Sequence, residues 1–122
     1  MVIALTREGV PGLSSAFQPP QFYLSESAIY EAIRLGGQFN VIDVTSGYKI
    51  DFMLARKDAW GREQLARRQL NPLLSDQKAY TATVEDIVLG KLWYYEDGGS
   101  DKHLRDIAGM LRVHRQPIDF AY

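Results

Sequence analysis

The 122-residue chain contains no cysteine, which excludes disulfide staples and thiolate zinc sites. Imidazole is scarce as well: with His103 and His114 alone, a histidine-rich metal centre has too few ligands, and a hard, oxygen-ligated cation is the metal chemistry left open. Charge of one sign is equally lacking. Fourteen basic against 15 acidic side chains leave a net charge of -1, so no global field draws nucleic acid or an anionic membrane, and any anion site has to be local. Long apolar runs are missing too. The opening MVIAL is broken by Arg7 and Glu8, too short for a signal segment, and no stretch approaches the ~20 residues of a membrane span, so the expected location is the cytoplasm, without a membrane partner. There is no internal repeat, low-complexity segment or linker, which predicts one domain over residues 1–122 with one modest core.

What is present reads as alternating short strands and helices. Met1 to Leu5 has the character of a buried strand, and Val10, Leu13, Ser14 and Phe17 sit at helical spacing until Pro19 and Pro20 stop the helix. Ser25 is an N-cap residue for SAIYEAIRL, with a stripe of Ala28, Ile29, Ala32 and Ile33 and the stop signal Gly36-Gly37. Residues 39–54, FNVIDVTSGYKIDFML, predict a hairpin about Ser46-Gly47, in which Thr45 faces Tyr48 and Asp51 stands opposite Ile42. Its core face carries Phe39, Val41, Ile50, Phe52 and Leu54. Asp43 falls on that side near the strand end, where it can reach water as a rim charge. Residues 58–69 have helix-forming composition interrupted by Gly61, and the Arg67-Arg68 pair reads as a solvated face.

Two short strands about SDQK follow, the first interrupted by Pro72. Thr83 opens a helix with a capping-box-like TVED that runs to Asp97, Gly98-Gly99 ends it, and Ser100 caps a second helix striped by Leu104, Ile107, Ala108 and Leu111. Pro117 and Asp119 look like the start of a further helix. His103 and His114 read as ordinary exposed helix residues. Trp93, Tyr94 and Tyr95 point in different directions around a helix, so most of that aromatic mass is expected in the core rather than in a base-stacking platform. The sum is an α/β (α+β) fold: a small mixed sheet of about four strands over residues 1–82 with flanking helices, and a C-terminal helical pair within 83–122.

Mid-strand carboxylates are uncommon, because an unpaired buried one costs several kcal/mol. Asp51 in KIDFML therefore calls for a wet face, a basic neighbour such as Lys49, or a metal. The order of a hydrophobic strand, a hairpin bearing apolar-Asp-apolar, then TVEDIVLGKL and KHLRDIAGML resembles the nucleotidyltransferase superfamily of polymerase-beta-like fold, in the bacterial branch of MNT-type antitoxins and AbiEii-like proteins. The resemblance is strongest over Phe39–Leu54 and Thr83–Val113.

In that family a Gly-Ser turn leads to a strand with Asp-x-Asp, and a third carboxylate stands on the neighbouring strand. Asp51 matches the third, as catalytic and metal residue, with Mg2+ the implied cofactor. Val2-Ile3-Ala4-Leu5 fits the apolar continuation of the first strand, which places that strand beside Tyr48–Leu54. Neither the Gly-Ser turn nor Asp-x-Asp occurs in residues 1–50, so the resemblance is to a truncated, catalytically incomplete fold with weak or no Mg2+ binding. It further implies that Lys91, Lys102, Arg105 and Asp106 serve nucleotide or phosphate binding, against the alternative of surface ion pairs on helices.

The family reaction is metal-dependent transfer of a nucleoside monophosphate from a nucleoside triphosphate. A nucleoside triphosphate is accordingly one expected partner. The alternative function is a non-catalytic binding or regulatory module, antitoxin-like or a dimerising remnant, with a protein partner or a second copy as its ligand. A nucleic-acid binder is disfavoured by the neutral charge.

Overall fold

A computed structural model describes all 122 residues, and they divide into two compact units, Met1–Arg62 and Glu63–Tyr122. The fold is α+β. In the first unit a four-stranded mixed sheet has the order β1-β4-β3-β2, with β1 (Val2–Ile3), β2 (Phe22–Tyr23), β3 (Gln38–Asp43) and β4 (Lys49–Leu54). Strand β1 runs parallel to β4, with Val2 opposite Met53, and the Met1 amino group donates to the Asp51 carbonyl at 2.7 Å. The expected neighbourhood of the first strand and the Asp51 strand is therefore present.

Helices α1 (Val10–Ala16) and α2 (Glu26–Leu35) supply the apolar side chains that meet the sheet. Ser25 caps α2 by accepting from the Ala28 N–H, and Gly36 closes it at φ 69°, a left-handed conformation that disfavours any residue with a Cβ. The stripe so presented puts Ile29 and Ala32 in the core with Val10, Phe39, Val41 and Phe52. Phe39 stacks on Phe52 at 5.2 Å, and Phe17 meets Phe52 edge-on at 6.1 Å.

The hairpin register differs from the sequence reading. Asn40, not Ile42, stands opposite Asp51, and Val41 opposite Ile50. The loop holds four residues, Val44 to Gly47, because the Asp43 carboxylate accepts from the Thr45 N–H at 2.9 Å, and Gly47, at φ 73°, returns its N–H to the Asp43 carbonyl. Asp43 is thus a turn-forming residue rather than a bare rim charge. A two-residue change of partner keeps the alternation of faces, so Phe39, Val41 and Phe52 are buried as expected, whereas Ile50, expected on the core face, is 37% exposed near the hairpin end. Helix α3 (Ala59–Ala66) starts on Asp58, whose carboxylate accepts from the Gly61 N–H. Gly61 is buried against the Arg56 backbone, where a Cβ would lie 2.1 Å from the Arg56 carbonyl oxygen.

The second unit holds a two-stranded hairpin, β5 (Gln69–Leu74) and β6 (Gln77–Thr81), and the helical pair α4 (Val84–Gly98) and α5 (Asp101–Val113). Thr83 caps α4 by accepting from the Asp86 N–H, Gly99 ends it at φ 65°, and α5 begins two residues later. No helix follows α5. Instead Asp119 gives its N–H to Glu85 and receives that of Ala121, turning the tail back onto the start of α4. Trp93 and Tyr94 are nearly half exposed, so less of that aromatic mass is buried than the sequence suggested. No helix is long and apolar enough to cross a membrane.

Candidate functional site

Asp51 belongs to the first unit. Its side chain is half exposed on β4, and its carboxylate pairs with Lys49 at 3.4 Å, two residues away on the same face. A salt bridge this wet is worth little, so it tolerates the carboxylate without requiring it. The remaining candidates, Lys91, Lys102, Arg105 and Asp106, all lie in the second unit.

Of these the fold joins Lys91 on α4 to Asp106 on α5, with the ammonium 2.7 Å from the carboxylate and both groups partly shielded. The hydrogen bond from Lys91 holds the Asp106 carboxyl below its ordinary value, against a smaller opposing effect of burial, and the charges of Lys91, Lys102 and His103 add to it. This contact ties the two helices together while leaving two ammonium protons of Lys91 without that partner. Lys102 and Arg105 are exposed one turn apart on α5, where both can reach an anion in solvent.

The most completely satisfied polar cluster in the second unit was not singled out from the sequence. Asp86, in the first turn of α4, is fully buried. Arg67 grips it with two donors, Nη2 to Oδ1 at 2.7 Å and Nε to Oδ2 at 3.2 Å, while Thr83 Oγ1 and the Tyr122 hydroxyl donate to Oδ2 at 3.1 and 2.5 Å. The Arg67 guanidinium also lies over the Tyr122 ring, 4.2 Å from its centroid. Burial by itself would raise the Asp86 pKa, but the hydrogen bonds from Arg67, Tyr122 and Thr83 outweigh it and bring the carboxyl below its ordinary value. Arg67 is correspondingly held more firmly protonated by Asp86, and burial together with the Asp86 hydrogen bond raises the Tyr122 phenol.

With its oxygens occupied by donors, Asp86 serves neither as a metal ligand nor as a general base; it fastens the start of α4 to Arg67 and to the tail. Arg67 is therefore no solvated-face arginine, although Arg68, over the Tyr80 ring at 4.6 Å, lies on the exposed hairpin. The TVED cap was visible, but nothing local links Asp86 to an arginine 19 residues earlier or a tyrosine 36 residues later. The histidines also differ from expectation. Both are half-buried, and His103 lies against Tyr94 with ring centroids 5.8 Å apart and Nδ1 buried without a hydrogen-bond partner.

Mg2+ asks for several hard oxygen donors converging on one point. No group of three histidine or acidic side chains converges anywhere in the structure, and Asp51, the metal residue that the resemblance implies, has a lysine beside it. The residues present do not fit the family's metal. In comparisons with protein-family models, curated proteins and solved structures, nothing matches this chain.

Proposed function

We propose that this chain is a nucleotidyltransferase-like protein that binds a phosphate-bearing ligand, a nucleoside triphosphate first among them, and does not complete the family's metal-dependent transfer. One observation carries the reading. Asp51 stands on the strand beside β1, as the resemblance asks of the third family carboxylate, yet its ionic neighbour is Lys49 rather than a second acid. A lone carboxylate beside an ammonium lacks the charge to hold a divalent cation against a triphosphate. Phosphate binding needs no such cation: Lys102, Arg105 and the unshared protons of Lys91 suffice for a weak, salt-sensitive site.

The test is an incubation of the purified chain with labelled nucleoside triphosphates, Mg2+ and protein or RNA acceptors, beside an equilibrium binding measurement. The expected result is no turnover, with binding that weakens in salt and in a Lys102→Gln, Arg105→Gln double variant. Turnover that disappears in Asp51→Asn overturns the catalytic half of the proposal. Binding that ignores both salt and the double variant overturns the other half. A second reading, a non-catalytic partner-binding or dimerising module, is favoured by the apolar side chains that β5 and β6 leave in solvent.

A further inference from the structure

The β5–β6 hairpin is a sheet of two strands, an arrangement that is marginal in water without a third strand or a covering layer. Every residue of β5 is exposed, as is every residue of β6 except half-buried Ala79. The exposed set includes Leu70 at 52%, Leu73 at 62%, Leu74 at 63% and Tyr80 at 62%. The two outer edges are unequal. Strand β5 carries Pro72, which has no N–H, and an irregularity between Pro72 and Leu74, both of which blunt an edge. Strand β6, QKAYT, carries neither.

The register decides what the open edge offers. Pro72 stands opposite Lys78 and Leu70 opposite Tyr80. A proline nitrogen within a ladder faces away from its partner strand, and alternation then turns the N–H and C=O groups of Lys78 and Tyr80 outward along β6.

We propose that this edge pairs antiparallel with the β6 edge of a second copy of the chain, about a two-fold axis at Ala79, joining two hairpins into one four-stranded sheet. Only this centre overlaps all of Gln77–Thr81 while keeping like faces together. It sets Gln77 opposite the other copy's Thr81 and Lys78 opposite the other copy's Tyr80. Each ammonium therefore stands opposite a tyrosine, whose ring carries Arg68 on one face, rather than opposite another ammonium, as a centre at Lys78 would require. The pairing is isologous, so it closes at a dimer, and the outward groups of Lys78 and Tyr80 find partners twice over.

The absence of cysteine makes the register directly testable. In Ala79→Cys the two thiols of a dimer face one another across a non-hydrogen-bonded pair, where Cα atoms are about 4.5 Å apart and a disulfide fits. Mild oxidation is expected to convert this variant to a covalent dimer, while Asn71→Cys, opposite Ala79 on the blunted strand, stays largely monomeric. Sedimentation of the unmodified chain should show a concentration-dependent monomer–dimer equilibrium. Lys78→Pro, which removes an outward N–H together with the ammonium opposite Tyr80, should weaken that equilibrium about tenfold or more with an unchanged far-ultraviolet circular dichroism spectrum, and Lys78→Gln, which removes the ammonium alone, should weaken it less. A chain that stays monomeric into the millimolar range, or an Ala79→Cys variant that crosslinks no faster than Asn71→Cys, overturns the proposal even if Lys78→Pro fails to fold.

Discussion

The two units solve the same problem with opposite materials. Met1–Arg62 keeps Val10, Ile29, Ala32, Phe39, Val41 and Phe52 out of water, whereas in Glu63–Tyr122 the one buried side chain is a carboxylate. On α5 even the stripe residues Leu104 and Leu111 stay more than a third exposed. An apolar core is non-directional, and its strength follows the area removed from water. A buried carboxylate is directional: fully paired it fixes one geometry, and half-paired it is worse than no polar group at all. The first unit should therefore respond to lost volume, and the second to lost donors and to pH.

The largest effect is expected from Phe52→Ala, which leaves a hole between Phe39 and Phe17 and should cost about 3–5 kcal/mol in denaturant-induced unfolding. Next comes Asp86→Ala. It strands Arg67, Thr83 and Tyr122, but Arg67 is about one-third exposed, so the orphaned guanidinium can turn to water and the loss should be nearer 2 kcal/mol. If Asp86→Ala proves the costlier of the two, the contrast between the units fails.

Acid and base sharpen the same contrast. The folded Asp86 carboxyl titrates below its ordinary 3.8, so its contribution is present above that value and is lost as pH falls through the folded pKa. The Tyr122 phenol titrates above its ordinary 10.0, so its contribution is full below that pH and is lost as pH rises through the folded value. Thermal melts across pH should show stability falling at both ends for the unmodified chain and for Phe52→Ala. The same melts of Asp86→Ala should be flatter at both ends.

The same difference explains what could be read in advance. Helix α2 was legible because its cap, stripe and stop all lie within a dozen residues, and alternation placed Phe39, Val41 and Phe52 in the core, though not Ile50, which stays exposed. The hairpin register was not, because Ser46-Gly47 looks like a complete two-residue turn until Asp43 is seen to accept the Thr45 N–H. Lys91 and Asp106 could be named individually, whereas their pairing depends on how α4 meets α5. The Arg67, Asp86 and Tyr122 cluster was illegible for a stronger reason: each member is ordinary in its local sequence, and only tertiary folding removes Asp86 from water.

The smallest effect belongs to the residue that first invites functional attention. Asp51→Asn keeps the shape of the side chain and deletes a charge whose counterpart, Lys49, is as exposed as Asp51 itself, and neither group is orphaned in a dry interior. The cost to stability should stay within about 0.5 kcal/mol. Deleting the carboxylate from an assembled metal site acts differently, since the other carboxylates would then repel each other less and the apo protein would gain stability. Matched denaturation curves in Mg2+ and in chelator read this out. Superimposable curves for Asp51→Asn and the unmodified chain, each indifferent to Mg2+, are expected of a surface ion pair. A Mg2+-dependent rise in stability that Asp51→Asn removes would place a cation at Asp51 and with it the carboxylates that the fold leaves unassembled.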